Sequence, residues 1–372
     1  MNFSINKNYF FDALQTVGHA ISPNSPQPSL RGILIDVKKD QLILTGSNAD
    51  ISIQKILKAD EENKLNVVEE GALLIDAAYL MQIVKKLDAD VINIEIIDGS
   101  LTKFSGASVV FKINGMNVND YPTIDFSKPM NSIKMDSTVL SDIIEQTTFA
   151  TSPKETRPVL TGVNFKIENN KLNCTATDSY RLAKKTIDFS SDVSFNITIP
   201  SKSLNEVRGT VLLTAKEIEI AQSDKKAQFW SDDMVLQTRL LDGGYPETDR
   251  LIPTEFNYTL VIGREDLIHA IDRTTFIKND NMTINRLQCS TEEVILTNKS
   301  QEIGESHESL NATFTGDPLD ISFSGTYVMD AAKALRGSQI KIQFTGEMKP
   351  FILSCDEDQT ILQLVLPVRT YN

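Results

Sequence analysis

Pro158-Val159-Leu160-Thr161-Gly162 repeats, 130 residues further on, the run Pro28-Ser29-Leu30-Arg31-Gly32. Leu172-Asn173-Cys174-Thr175 stands at the same distance from Leu42-Ile43-Leu44-Thr45. Thr147-Thr148-Phe149 returns as Thr274-Thr275-Phe276, and Asp120-Tyr121-Pro122 returns as Gly244-Tyr245-Pro246. The chain has 372 residues, so each spacing is close to one third of it. Solenoid repeats run roughly 20–50 residues. A period this long is that of a whole domain. Three similar domains in one chain make an arc, and arcs assemble into closed rings.

The hydrophobic share, 41%, is enough for real cores. No stretch approaches the roughly 18 apolar residues of a membrane span. The start, Met1 to Lys7, has neither the apolar run nor the cleavage site of a secretory signal, so a cytoplasmic protein is expected. Cys174, Cys289 and Cys355 are odd in number and far apart, and read as buried thiols in a reducing compartment. The sequon Asn196-Ile197-Thr198 is a chance match in that setting. A net charge of −13 argues against indiscriminate nucleic-acid binding but allows a local basic strip.

The expected fold class is α+β: three similar domains, each with two helices and antiparallel sheets, over residues 1–125, 126–253 and 254–372. Phe10, Leu14, Val17 and Ile21 have helical spacing, as do Leu140, Ile143, Ile144 and Thr147, and then Leu267, Ile268, Ile271 and Thr275. A second helix per third carries Leu80, Ile83, Val84 and Leu87; Leu204 and Val207, ending at Gly209; and Val328, Ala332 and Leu335. Strands alternate at Ile92, Ile94 and Ile96, at Ile218 and Ile220, and at Ile340, Ile342 and Phe344. Lys39-Asp40, Asn169-Asn170 and Asp242-Gly243-Gly244 read as turns. The order read is helix, then strands, six times. Tyr121 to Asn131 and Tyr245 to Phe256 read as short, proline-bearing linkers.

No catalytic chemistry stands out. His19, His269 and His307 have no His or Cys partner at metal spacing. There is no GxGxxG, Walker A loop or GxSxG elbow. The pairs Glu61-Glu62 and Asp232-Asp233 sit in polar loops, which is where solvated carboxylates belong. No catalytic residue, metal or cofactor is expected. Two segments ask for more. Thr177-Asp178-Ser179-Tyr180-Arg181-Leu182 looks like a strand-end turn, matched by Ser47-Asn48-Ala49-Asp50-Ile51, but Tyr180-Arg181-Leu182 also suits a binding rim. Leu364-Val365-Leu366-Pro367-Val368-Arg369 is apolar almost to the end: either an edge strand stopped by Pro367, or a groove wall closed by Arg369.

At these residues the chain resembles the bacterial DNA sliding clamp family, the beta subunit of DNA polymerase III. The motifs are Thr177, Asp178, Arg181 and Leu182; the terminal Leu366-Pro367-Val368-Arg369; and the linker with Pro246 and Arg250. The resemblance implies the DNA clamp fold and a head-to-tail homodimeric ring, with helices lining a hole and sheets outside. It implies a processivity factor that encircles duplex DNA topologically. Its partners would be the DNA polymerase III catalytic subunit, the clamp loader and other replication or repair proteins, all through linear peptide motifs and with no membrane. The implied partner-peptide cleft is Leu160, Thr177, Tyr180, Arg181, Leu182, Pro246, Arg250, Leu251, Met348, Leu364, Leu366, Pro367, Val368 and Arg369. Leu366 stands where the family often has methionine; Ser179 and Tyr180 stand where it often has glycine and histidine, so peptide preference is expected to shift. The implied dimer interface is Phe276 and Ile277 against Phe111 and Ile113. Lys202 matches a DNA-contact position of the family, and Lys85, Lys86, Arg208, Arg273, Lys333 and Arg336 are further DNA-facing candidates. The stretch near 136–147 holds Asp136, Asp142 and Glu145 without a cation, so the hole is expected to be of mixed charge. The alternative is a non-catalytic scaffold that never encircles DNA; an unrecognised hydrolase would need convergent carboxylates. Thr370, Tyr371 and Asn372 form a tail without a role in this reading.

Overall fold

The computed structural model describes residues 1–278 and 282–369. Strand, helix, then three strands is the unit of construction, and it occurs six times. The first third contains β1 (Asn2–Asn6), α1 (Lys7–Gly18), β2 (Gly32–Lys38), β3 (Gln41–Ser47) and β4 (Ile51–Lys58). After a short β5 (Asn66–Glu69) come β6 (Gly71–Asp76), α2 (Ala77–Lys86), β7 (Val91–Asp98), β8 (Leu101–Gly106) and β9 (Val109–Asn114). The middle third has β10 (Asn131–Asp136), α3 (Ser137–Thr147), β11 (Gly162–Glu168), β12 (Lys171–Thr177) and β13 (Arg181–Asp188). Then follow β14 (Asn196–Pro200), α4 (Ser201–Gly209), the single turn α5 (Val211–Thr214), β15 (Glu217–Gln222), β16 (Lys226–Trp230) and β17 (Met234–Arg239). The last third has β18 (Tyr258–Gly263), α6 (Arg264–Asp272), β19 (Ile284–Cys289), β20 (Val294–Ser300) and β21 (Gly304–Ser309). It ends with β22 (Ala312–Thr315), β23 (Leu319–Ser324), α7 (Gly325–Ala334), β24 (Gln339–Phe344), β25 (Phe351–Ser354) and β26 (Ile361–Val365).

The strand-first order corrects the helix-first reading. The residue that ends the strand also caps the helix, so no loop marks the change. Asn6 Oδ1 accepts from the N–H groups of Asn8 and Tyr9, Asp76 Oδ1 from Ala78 and Tyr79, and Asp136 Oδ1 from Thr138. Each satisfies donors that a helix start leaves open. The helical stripes face inward: Phe10, Leu14 and Val17 are buried, as are Leu140, Ile143 and Ile144, and Leu267 and Ile271. Ile21 and Thr275 fall beyond their helices, and Leu87 and Leu335 are C-caps. The hairpin turn at Asn169 and Asn170 is left-handed at both residues (φ 54° and 58°), as a two-residue turn between twisted strands requires.

Two compact units emerge: Met1–Ser141 with Lys202–Leu240, and Asp142–Ser201 with Leu241–Asn372. Each contains a sheet that crosses between thirds of the chain. In the first unit an eight-stranded sheet runs β10-β15-β16-β17-β4-β3-β2-β6. Its join is β17 antiparallel to β4, from Met234↔Lys55 to Thr238↔Ile51. In the second unit a nine-stranded sheet runs β14-β11-β12-β13-β26-β25-β24-β18-β22. Its join is β13 antiparallel to β26, from Arg181↔Val365 to Lys185↔Ile361. The remaining sheets are β5-β1-β7-β8-β9 and β21-β20-β19-β23.

A buried polar network reinforces the second join. Lys185 Nζ donates to Gln146 Oε1 (2.6 Å), Thr360 Oγ1 (2.8 Å) and Asp358 Oδ2 (3.3 Å). Gln146 donates to the carbonyl of Ala334 and its own carbonyl accepts from Gln363 Nε2. Burial works against the Asp358 charge. The Thr360 hydroxyl and backbone N–H, Lys185 and Gln146 nevertheless hold its carboxyl below the usual range. Its contribution is therefore complete above the ordinary aspartate value of about 3.9 and is lost as pH falls through the lowered one. Asp358→Ala should cost about 2 kcal/mol at pH 7, because it strips a buried ammonium of its counter-ion. Urea unfolding followed by circular dichroism checks this, with the difference shrinking as the pH drops below about 4.

Candidate functional site

The Thr177–Leu182 turn is built by its own side chains. Asp178 Oδ1 accepts from the N–H groups of Tyr180 (2.8 Å) and Arg181 (3.0 Å). Thr177 Oγ1 donates to the Arg181 carbonyl (2.6 Å) and accepts from Ser179 N–H, and Ser179 is left-handed (φ 79°). The first third repeats this with Asn48 accepting from Asp50 and Ile51, and Ala49 at φ 79°. The turn is thus a shared structural device, and what differs is what it carries. Tyr180 is 62% exposed.

Arg181 does not stand at a rim, as the sequence suggested. Its side chain is 12% exposed. Nε donates to Asp178 Oδ2 (3.1 Å) and NH1 to Asp330 Oδ2 (2.7 Å) on α7. The guanidinium lies 4.5 Å from the Tyr327 ring centre and 5.4 Å from that of Phe149. Two carboxylates and two ring faces surround one cation. Arg181 braces the turn against the last third of the chain. Burial, followed by the Asp178 charge, pushes the Tyr327 hydroxyl up. Nothing in the sequence pairs Arg181 with Asp330, 149 residues away.

The terminal segment lies beside that turn. Past the end of β26, Leu366 N–H donates to the Tyr180 carbonyl (2.9 Å) and Val368 N–H to the Ser322 carbonyl of β23 (2.7 Å). Leu182, Ile352 and Leu364 form a buried apolar cluster, with Ile252, Phe256, Leu362 and Leu366 packed on it. Four segments therefore meet here, β13, β25, β26 with its extension, and the stretch read as a linker. Ile252 and Phe256 flank Pro253 and were overlooked because the proline drew the reading towards a loop. Lys184 Nζ reaches Asp249 Oδ1 (2.6 Å), which ties the same loop to β13. Leu160 is buried but is not among the members of this cluster, so the expected trio of Leu160, Leu182 and Leu366 is brought together only in its last two. Thr177 is buried; Pro246, Arg250, Leu251, Met348 and Arg369 are exposed; Pro367 and Val368 are half-buried. Thr370, Tyr371 and Asn372 lie outside the described residues.

The other candidate residues sort by partner. Lys85, Lys86, Lys202 and Lys333 are exposed and form no ion pair among the described residues. Arg336 is bidentate to Asp142 (2.9 and 2.6 Å), and Arg273 Nε donates to Glu308 (3.0 Å). Arg208 is exposed on α4. Phe111 and Ile113 are half-buried on β9, the end strand of its sheet. Phe276 is 68% exposed, but Ile277 is 3% exposed. Ile277 was expected at an interface together with Phe276. It turns inward instead, with its N–H on Thr274 and its carbonyl accepting from Asn298 Nδ2.

No group of three or more His, Cys, Asp or Glu side chains that could hold a metal occurs among the described residues. The three cysteines are buried and unpaired; burial pushes the Cys289 thiol up to about 12, far from a reactive thiolate. No helix among the described residues is long and apolar enough to cross a membrane.

Three family models match in order: the DNA polymerase III beta subunit N-terminal domain over residues 1–125, its central domain over 134–247 and its C-terminal domain over 249–369. The beta sliding clamp of Bacillus subtilis is 35% identical over 378 residues, covering all of both chains. The crystal structure of the DNA polymerase sliding clamp from Bacillus subtilis superposes with a TM-score of 0.94 at 35% identity, again over all of both chains. That of the beta subunit from Streptococcus pyogenes gives 0.95 at 32% identity over the same extent. With three clamp domains in sequence, joined through shared sheets and matched along its whole length, the chain belongs to the DNA polymerase III beta subunit family and is a DNA sliding clamp.

Proposed function

We propose that two copies of this chain close head to tail around duplex DNA and hold the replicative polymerase there, without catalysis and in the cytoplasm. The supporting observation is a leftover pair of strand edges. The last strand of each three-strand set makes a join: β4 with β17, and β13 with β26. β9 and β21 are the two last strands still without one, and each ends its sheet. They sit in the first and last thirds of the chain, so a join between them links two copies in sequence. An unpaired edge invites such pairing.

The repeats also give the register. Aligning the strand pairings makes β9 equivalent to β17 and β26, and β21 equivalent to β4 and β13. Gly304 then faces the partner's Ile113, Glu305 the partner's Lys112, Ser306 the partner's Phe111 and His307 the partner's Val110. Glu305 and Lys112 are opposite charges set directly across a ladder. In the two joins on one chain, Arg239 N–H donates to Asp50, and Leu366 N–H to Tyr180. By alternation, the Ser306–Phe111 pair is of the closer, non-hydrogen-bonded kind.

Phosphate contact is expected to be loose. Arg273 and Arg336 already pair with carboxylates, which leaves Lys85, Lys86, Lys202 and Lys333 as ready cations. A tether that slides needs containment rather than tight pairing. Partners would dock by short peptides on the cluster around Leu182, Leu364 and Leu366, with Tyr180, Leu251 and Met348 exposed on neighbouring segments. The expected partners are the polymerase III catalytic subunit, the clamp loader and other replication or repair proteins. A scaffold that never encircles DNA is not favoured by the family membership.

Three outcomes follow from this reading. The double variant Ser306→Cys/Phe111→Cys should form, on oxidation, a dimer that survives denaturing electrophoresis, while Glu308→Cys/Phe111→Cys should not. Loaded on circular duplex, the protein should persist until the circle is cut; on short linear duplex it should bind weakly, with affinity falling as salt rises. Removing Leu366 to Asn372 should weaken binding of a leucine- or phenylalanine-anchored polymerase peptide at least about 30-fold, as expected when one wall of a hot-spot pocket is lost. Calorimetry reads that affinity, and sedimentation should show the dimer intact.

A further inference from the structure

The head-to-tail reading above supports a specific side-chain contact between subunits. Three positions recur at each join. The first lies twelve residues after the leading residue of α1, α3 and α6, and holds His19, Phe149 and Phe276. The second and third lie on α2, α4 and α7, as Tyr79 and Gln82, Ser203 and Glu206, and Tyr327 and Asp330. In the first join, His19 Nδ1 meets Glu206 Oε2 at 2.8 Å. In the second, Arg181 lies between the rings of Phe149 and Tyr327 and reaches Asp330 at 2.7 Å. Both joins therefore bring the first position up to the second helix of the other domain.

At the third join the corresponding residues are Phe276 and, on the other copy, Tyr79 and Gln82. Phe276 is 68% exposed and Tyr79 is 61% exposed, whereas Phe149 and Tyr327 are half-buried. Single exposed rings are common on a protein surface, but these two occupy the positions that the repeat sets opposite one another at the third join. The intervening position differs as well. It is Ile51 in the first join, Arg181 in the second and Gly304, which carries no side chain, in the third. A glycine there puts no side chain of its own between the two rings. We propose that Phe276 of one subunit packs directly on Tyr79 of the next, an aromatic contact in the place that Phe149, Arg181 and Tyr327 fill within one chain. It occurs twice in a closed dimer.

The test is sedimentation equilibrium, or mass photometry at nanomolar concentration, on full-length Tyr79→Ala, Phe276→Ala, the double variant and Tyr79→Phe. Both positions are exposed, and circular dichroism melts confirm that each variant folds. Each alanine variant should raise the dimer Kd about tenfold or more, by loss of buried area and ring contact. The double variant should fall short of the product of the two effects by about fivefold or more, the sign of direct contact. Tyr79→Phe should keep the wild-type Kd, since the ring makes the contact. An unchanged Kd for Tyr79→Ala, or strictly multiplicative effects, overturns the contact. If the disulfide of the Ser306→Cys/Phe111→Cys variant still forms in that case, the head-to-tail join survives and only the aromatic pair is lost. If that disulfide also fails, the join itself is wrong.

Discussion

Backbone hydrogen bonding across the joins is the constraint from which the rest follows. A strand edge carries a row of donors and acceptors that cannot be left dry. β4 and β17 satisfy one another, and so do β13 and β26, and the resulting sheets pass from one third of the chain into another without a break. The joins are therefore specified to the residue, because slipping by one position would turn every inward side chain outward. That is why the proline-bearing segments do not behave as loose linkers. Lys226 Nζ on β16 donates to the Asp125 carbonyl, and Lys184 on the joining strand β13 holds Asp249, so both segments are fastened to sheets that carry a join.

The apolar cluster around Leu182 is a by-product of the second join. β26 is both the last strand of its domain and the partner of β13, so the chain runs off the ladder with its apolar residues still beside Leu182. Leu366 and Val368 are held by one backbone bond each, to Tyr180 and Ser322. A surface of this kind is preorganised: its backbone is fixed by a sheet, and its floor by a core. Arg181 contributes by staying out of it. With Asp178 and Asp330 around it, the guanidinium holds the turn, while Arg250 and Arg369 are exposed.

How far the sequence could be read depends on whether the information was local. The repeat was legible because turns and strand ends need particular residues, and Gly32 and Gly162 mark the same entry into a strand. Alternation placed Ile92 and Ile94, and Ile218 and Ile220, correctly inside. The strand before each helix was missed because Asn6 or Asp136 serves as both strand end and cap, leaving no gap to see. Arg181 was misplaced because its partners Phe149, Tyr327 and Asp330 come from two distant helices. Ile277 was assigned with its neighbour Phe276, yet consecutive residues in a turn can face opposite ways, and only Phe276 faces out. Ile252 and Phe256 were hidden by Pro253, whose presence reports on backbone freedom and says nothing about what its neighbours pack against.

The three versions of the join differ in a way that matches what each must do. Within one chain, the two halves of a join are covalently tethered, so their effective concentration is high and a modest ladder suffices. The first and second joins add polar pins: His19 with Glu206, and Arg181 with Asp330 over a buried Lys185 network. Both pins fix geometry; the half-exposed first one costs little to break, whereas opening the second would strip the buried Arg181 cation of its partners. In the proposed dimer, the subunit join would have to open for the ring to be threaded onto DNA that lacks an end. Glycine at position 304, exposed rings at 79 and 276, and charges at 112 and 305 that can return to water suit that demand. An apolar contact and a solvent-facing ion pair lose little specific geometry on opening and re-form without a search for buried partners. One repeated joint thus supplies two fixed joins to the chain, and in the proposed dimer the side chains at the matched positions would make the third one reversible.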